Sequence, residues 1–316
     1  MKLKQLIYGM ATFVPGINQL RAKGTGGTDS ARYCYSVWLR HLVMAKRNKL
    51  NPYPKIVAEL GPGDSLGIGL AALISGCDKY FAFDVVEHAN AERNAEIFDE
   101  LITLFENRTP IPGADEFPKV KPYLEEYDFP ADILDDNRLQ HALENSRMER
   151  IRDAISDFQR KDSLIQYKVP WYGSGILENE SVDMIYSQAV LEHVDDLRGI
   201  YRAMHSWLKS TGYISHQIDF KCHGTAGEWN GHWVYSDFMW KLIVGKRPYF
   251  LNREPHSTHI AILIEEGFNV VCDKTTISES RFTLNELAPK FKSISGDDLI
   301  TSDTFIQGTK NTESNA

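Results

Sequence analysis

Short apolar runs and stretches of helical periodicity alternate along much of this chain. Lys55-Ile-Val-Ala-Glu-Leu60 is the first compact apolar run, and it ends at a glycine turn, which reads as a buried strand. Asp64 to Ser75 carries helical spacing and closes at Gly76, Lys79 to Asp84 reads as a second strand, and Ala89 to Glu106 as a second helix. A β-α-β-α opening implies a parallel sheet, because parallel neighbours need a crossover. Regular order returns with strands at 164–169 and Val182 to Val190, a helix from Asp195 to Lys209 ended by Gly212, and a strand from Tyr213 to Phe220. A helix over His259 to Glu266 and strands at Asn269 to Ile277 and Thr304 to Gly308 complete the pattern. The expected fold class is α/β: a Rossmann-like, mostly parallel sheet with helices on both faces.

Two segments interrupt the rhythm. Residues 107–160 are rich in proline and acids, then helical from about Asp135 to Phe158; they are expected as a helical insertion over one edge of the sheet. Residues 221–255 form a His- and Trp-rich loop insertion. Ahead of the sheet, residues 1–28 read as irregular, ending in Gly24-Thr-Gly-Gly-Thr28, and a helix capped by Thr28 or Asp29 runs to about Asn48 with a basic tail that suits a helix C-terminus. The expected organisation is an N-terminal helical extension over 1–54, one domain over 55–310 holding both insertions, and a polar, disordered tail over 311–316.

Composition narrows the classes. The formal charge of -8 over 316 residues argues against nucleic acid as partner, since phosphate binding needs clustered Lys and Arg. No run is long and apolar enough to span a bilayer, and the short apolar N-terminus lacks a small-x-small cleavage site, so a cytoplasmic location is expected. That N-terminal stretch still allows a peripheral membrane contact. Four scattered cysteines, with no C-x-x-C pair, read as reduced thiols. Oligomeric state is not legible.

The strongest chemical signal is Glu59-Leu-Gly61-Pro-Gly63-Asp-Ser-Leu-Gly67, between a strand and a helix. Glycines there let the backbone turn tightly and a ligand approach without a Cβ in the way. The spacing differs from the dinucleotide fingerprint, and an acid before the glycines favours a cationic ligand over a pyrophosphate. Asp84, about twenty residues on at the end of the second strand, can accept hydrogen bonds from ribose hydroxyls. Ser187 and Gln188 end the fourth strand, and Val190-Leu-Glu-His-Val194 leads into the next helix.

In that order, VAELGPGDSLG, FAFD and VDMIYSQAVLEHVDDL resemble the class I S-adenosylmethionine (SAM)-dependent methyltransferases, over about 55 to 310 less the insertions. The resemblance implies that SAM is the cofactor. Glu59, Gly61 and Gly63 would line its methionine and ribose side, Asp84 would hold the ribose hydroxyls, and Ser187 and Gln188 would pass under the methionine part. Adenine would lie near Tyr167 to Trp171. Where relatives that methylate adenine N6 or glutamine amides carry an N-P-P-Y-like turn, this chain has Ser-Gln-Ala-Val, and no Pro-Cys nucleophile for cytosine C5 occurs there. The stretches GTGGTDSARYCYSVWLRHL and Asn252-Arg-Glu-Pro255 resemble methyltransferases associated with bacterial surface-polysaccharide biosynthesis.

The acceptor side points to His216, Asp219 and His223, at and beyond the end of the fifth strand, where ligands sit in this fold. A sugar hydroxyl benefits from a general base, so His223 is expected as base with His216 or Asp219 as orienter. Trp229, Asn230, His232, Trp233 and Tyr235 suit carbohydrate binding, and Arg247 and Arg253 a phosphate; each has an ordinary structural alternative. The spacing of His216, His223 and His232 matches no standard metal motif, and no metal is expected. The leading expectation is methyl transfer to a hydroxyl of a sugar or glycan precursor. A small-metabolite or lipid-like acceptor, or a non-catalytic SAM-binding module, are the alternatives.

Overall fold

The computed structural model describes residues 3–13, 27–157, 160, 162–171, 173–247 and 249–311. Its centre is one seven-stranded sheet. The strands in chain order are β1 (Ile56–Leu60), β2 (Lys79–Phe83), β3 (Ile165–Lys168), β4 (Val182–Gln188), β5 (Leu208–Asp219), β6 (Phe268–Ile277) and β7 (Thr301–Lys310). Across the sheet they run β3-β2-β1-β4-β5-β7-β6. Every pair is parallel except those of β7, which is antiparallel to both β5 and β6. The order reverses between β1 and β4, so the natural ligand crevice lies outside the carboxyl ends of those two strands.

The helices in chain order are α1 (Leu3–Ala11), α2 (Ala31–Arg47), α3 (Gly67–Ile74), α4 (Ala91–Glu106), α5 (Asp136–Ala142), α6 (Asn145–Ser156), α7 (Leu197–Trp207), α8 (Asp237–Val244), α9 (His256–Glu265) and α10 (Gly296–Ile300). Alternation along β1 sends Val57 to one core, with α2, α3, α4 and α6, and Ala58 and Leu60 to the other, with α7 and α9. Helix α7 shows how sequence sets this: Leu197, Ile200, Tyr201, Met204 and Trp207 fall three or four apart and are buried, while Arg198 and Arg202 on the outer face pair with Glu266.

Several elements differ from expectation. The first residues are not irregular throughout: α1 packs on α8 so tightly that a Cβ on Gly9 would sit 2.1 Å from the Leu242 carbonyl oxygen. Ser30, not Thr28 or Asp29, caps α2 by accepting from the Tyr33 amide. Most of the Gly24-to-Thr28 stretch lies outside the described residues, as do Phe158 and positions 312–316 of the tail. Helix α7 stops at Trp207 and β5 starts at once, so Gly212 lies inside a strand; there a Cβ would meet the Asp183 carbonyl oxygen at 2.9 Å, beside a register shift in the β4–β5 pairing. Strand β7 continues to Lys310.

The two interruptions also resolve differently. The expected helix over 135–158 is two, broken around Leu143. Helix α6 packs on α4 and β3, as an ordinary crossover helix would. The irregular part is held to α2 by buried Arg40, whose guanidinium donates to the carbonyls of Pro112, Val120 and Pro122. The 221–255 insertion contains α8 and a short 3-10 turn at Gly231–Val234.

Candidate active site

A cleft of about 390 Å³ opens at the carboxyl ends of β1, β2 and β4, a size ordinary for small-molecule sites. Leu60 and Gly61 form one wall, Phe83, Asp84 and Val85 the next, and Trp171 and Gly173 follow β3. Val190, His193, Asp195 and Asp196, after β4, lie opposite, with Tyr249 from the second insertion at the mouth.

The glycine turn is shaped for this wall. Gly61 and Gly63 have φ of +62° and +75°, a region where a Cβ is strained. The Gly61 amide donates to the Phe83 carbonyl at 2.8 Å, which ties the turn to β2. Asp84 completes the tie: it accepts from the Gly63 amide at 3.4 Å and the Val85 amide at 2.7 Å. Burial raises its pKa, opposed by these backbone donors. Its carboxylate still lines the cleft, where ribose hydroxyls could reach it.

Glu59 sits elsewhere than the electrostatic expectation requires. Its side chain points to the α2–α3 side of the sheet, fully buried, and accepts from the hydroxyls of Tyr80 and Tyr186, the latter at 3.1 Å. Burial pushes its pKa up to about 8, so the group is largely a neutral acid near pH 7 and does not present a carboxylate to the cleft. Ser187 is buried on the opposite face, with its hydroxyl 2.8 Å from His216 Nδ1. Gln188 is half-buried, its Nε2 3.4 Å from Gln217 Oε1.

The three acceptor-side residues separate. His216 is buried, and burial drives its pKa down to about 3; its ring is spent on Ser187 beneath α7 and α9 rather than on His223 or Asp219. The structure brings Asp219 and His223 together: Asp219 Oδ2 lies 3.3 Å from His223 Nε2. Burial opposes ionisation of Asp219, but the bond to His223 and the Lys221 ammonium outweigh it and hold the acid at about 2. His223, on a left-handed backbone with φ +44°, keeps a third of its side chain exposed.

One residue of this group went unassigned in the sequence. The His193 ring lies 5.2 Å from that of His223, and its pKa falls to about 4 through burial and then the neighbouring His223. The available signal was its place directly after β4, at the switch point, inside the quoted Val190–Val194 stretch.

Much of the expected carbohydrate and phosphate set is structural. Trp233 is buried with Leu287 and Phe291, and its indole donates to the Arg253 carbonyl at 2.9 Å. Asn230 is spent on Ser280 and the Leu299 carbonyl, Trp229 on the Glu279 carbonyl, and Tyr235 on the Thr225 carbonyl. His232 is fully buried. Arg253 is buried too, paired with Asp237 at 2.7 Å, so it cannot face a phosphate.

A family model described as a methyltransferase domain matches residues 149–215, which run from α6 through β4 and α7 into β5. No curated protein sequence matches the chain. Among solved structures, similar ones include an S-adenosylmethionine-dependent methyltransferase from Mesorhizobium loti (14% identity, 85% of this chain and 98% of that one, TM-score 0.43). Another is phosphoethanolamine N-methyltransferase 2 from Haemonchus contortus, in complex with S-adenosyl-L-methionine (13% identity, 89% of this chain and 57% of that one, TM-score 0.42). The fold is a Rossmann-like methyltransferase fold, as its strand order shows directly. The chain is an enzyme of the methyltransferase kind, and SAM is the cofactor that fits such a domain.

Proposed function

We propose that this enzyme transfers the methyl group of SAM to a hydroxyl of a sugar or glycan precursor bound at the mouth of the cleft. The observation that carries the proposal is the His223–Asp219 pair, whose His223 ring lies 5.2 Å from that of His193, a residue of the cleft wall.

Bound SAM supplies an electrophilic methyl on a sulfonium; the chain must hold the partners in line and remove a proton. Asp84 takes the ribose hydroxyls, and the turn at Gly61 and Gly63 lets the backbone approach the methionine part. Ser187 and Gln188 contribute the backbone beneath it. Glu59 acts from behind, as the buried acid that fixes β1 to β2 and β4 through two tyrosines. Trp171, packed on Phe83 and Trp207, offers an aromatic wall for the adenine.

A sugar hydroxyl is a weak acid and a poor nucleophile until its proton begins to leave. His223 accepts that proton, and Asp219 stabilises the imidazolium that forms. His216 takes no part in this scheme. Recognition of a sugar is supported by the half-exposed ring of Tyr249 and by the carboxylates of Asp195 and Asp196 at the rim, which can accept from hydroxyls. The polysaccharide association rests on the sequence resemblance alone, and a cytoplasmic site of action follows from it. Among the described residues no helix is long and apolar enough to cross a membrane.

One observation favours a lipid-like acceptor instead. A second cavity, sharing Asp195 and Tyr249 with the cleft, is lined by Phe13, Val244 and Phe250 beside Lys241, Arg247 and Glu254, a mixed surface that suits an amphiphile. Exposed Ile7, Tyr8 and Met10 lie on α1 just ahead of it in the chain.

The test is calorimetric SAM binding together with release of S-adenosylhomocysteine in the presence of nucleotide-sugars, glycans and lipid-linked sugars. His223→Ala should abolish transfer while SAM affinity changes less than about twofold. Undiminished turnover in that variant would remove the base from the scheme. Transfer only to acceptors without a sugar would remove the glycan.

A further inference from the structure

The LEH stretch after β4 leaves a group of side chains that the scheme above does not fully use. Glu192 is 3% exposed, and neither carboxylate oxygen makes a well-formed hydrogen bond, although the backbone amides of Glu192 and Asp219 lie close by. His193 Nδ1 is likewise buried without a partner. Donor atoms of Glu192, His193 and His223 all fall within 4.8 Å of one another. Behind them Asp219 holds one nitrogen of His223.

A buried acid is ordinarily spent on a cation or on several hydrogen bonds. Here the nearest ammonium, Lys221, is taken by Asp219 and Asp303. What faces Glu192 is two imidazoles, which carry lone pairs and not positive charge when neutral, with the Asp219 carboxylate adding further negative charge close by. Such a trio is unfavourable alone and favourable around a metal ion. Two histidines and one carboxylate with the remaining positions open is a recurrent ligand set for divalent first-row ions. A carboxylate behind a ligating histidine is the usual outer support of such a site. Ligand atoms about 2.1 Å from one ion stand roughly 3–4 Å apart, so the three side chains need to close by about an ångström.

We propose that Glu192, His193 and His223 form a binding site for one divalent transition ion in the wall of the cleft. Two imidazoles among three ligands favour zinc, cobalt or iron over magnesium, which prefers oxygen. Of the three, His193 lines the cleft, so the site adjoins the space where the acceptor would bind. Its use in catalysis rests on the acceptor binding where the proposed function puts it. There the ion would act as a Lewis acid toward the acceptor hydroxyl, whose proton passes to water at the cleft mouth while the oxygen lone pair attacks the methyl carbon and the methyl–sulfur bond breaks, its electron pair staying on the sulfur of the departing S-adenosylhomocysteine. His223 cannot coordinate and accept a proton through the same nitrogen, so activation passes from the ring to the ion when the site is filled.

The experiment is a titration of the full chain, stripped with chelator and free of SAM, with Co²⁺, followed by visible absorption and by calorimetry. We expect one equivalent bound with a d–d spectrum, displaced by Zn²⁺ and not by equal Mg²⁺. His223→Ala and Glu192→Gln should lose at least about a hundredfold in affinity, and Asp219→Asn about ten- to a hundredfold. His141→Ala, a change at an exposed histidine elsewhere, should bind as wild type does. Circular dichroism establishes that each variant is folded; should Glu192→Gln fail, His223→Ala, at a partly exposed loop position, carries the test. No stoichiometric binding by folded wild type, or unchanged binding in folded His223→Ala, overturns the site. Because the readout needs neither SAM nor an acceptor, that failure would leave the base scheme standing, and SAM-binding failure would leave the ion site standing.

Discussion

Tyr186 on β4 stands directly opposite Glu59 on β1 in the sheet register, and its hydroxyl donates to the Glu59 carboxyl at 3.1 Å. Tyr80, from β2 on the other side, donates to the same oxygen. One acid thus joins the three central strands on the face away from the cleft.

This arrangement sets a pH dependence. The folded-state pKa of Glu59, about 8, lies above its ordinary 4.5 because of burial. The folded protein therefore holds a proton that the unfolded chain gives up between those values. Stability from this group is complete below pH 4.5 and is lost as pH rises towards 8, by at most about 1.4 kcal/mol per pH unit. Buried His216 and His259, with pKa of about 3, act in the opposite direction but only below about 6.5; above that, Glu192, whose pKa burial also raises, weakens the fold in the same sense as Glu59, so the Glu59→Gln variant is needed to separate the two. Urea denaturation at pH 6.5 and 8 should show wild type weakening over that interval and Glu59→Gln weakening measurably less. Equal slopes in the two proteins would mean that Glu59 is already ionised at pH 6.5.

Asp84 carries a different prediction, because its carboxylate both anchors the glycine turn and faces the cleft. Asp84→Ala should weaken SAM binding by about 1.5–3 kcal/mol, roughly ten- to a hundredfold, as expected for hydrogen bonds to a charged group. Calorimetry measures it, with a melting curve to separate a lost contact from a lost turn. Unchanged affinity in a folded variant would place the ribose elsewhere.

The fold was legible because the strands are short, apolar and separated by clear crossovers, and because Gly61, Gly63 and Asp84 occupy strand ends that no other element competes for. The face that each side chain takes was less legible. Glu59 follows the alternation of β1 away from the cleft, and one residue decides that. His216 and Asp219, three apart on β5, were separable by the same alternation, yet the partner of His216 came from β4, through pairing that the sequence does not display. Trp233 and Arg253 read as a binding surface because an insertion of unknown path gives no periodicity to mark its own small core. His193 was in view but its neighbour His223 lies thirty residues away, on a turn beyond another strand.

Gly61 tests how the turn meets β4. A Cβ there would lie 2.7 and 2.9 Å from the two methyl carbons of Val190, and φ is +62°. Gly61→Ala should destabilise by about 2–3 kcal/mol, combining steric overlap with left-handed backbone strain. Adding Val190→Ala opens the space and should recover part of it, leaving about 1 kcal/mol of backbone strain. A double-mutant cycle by denaturation reads the coupling directly; strict additivity would show that Val190 moves aside without cost.

Arg253 shows what a phosphate clamp read from sequence does instead. Its guanidinium donates to the carbonyls of His232 and Tyr235 at 3.2 and 2.8 Å and pairs with Asp237. The plane lies 4.7 and 4.9 Å from the ring centres of Trp240 and Phe291, so it fastens α8 to the small core around Trp233. Arg253→Ala leaves two carbonyls and that packing unsatisfied, with an expected loss of about 3 kcal/mol or more. Arg253→Lys should rescue less than half, since an ammonium cannot span both carbonyls and stack between two rings. Because α8 packs on α1 and the chain passes from it to Tyr249 at the cleft mouth, both variants should also raise acceptor KM without changing SAM affinity. A variant that melts like wild type yet loses binding of phosphate-bearing acceptors would instead return Arg253 to the role of ligand contact.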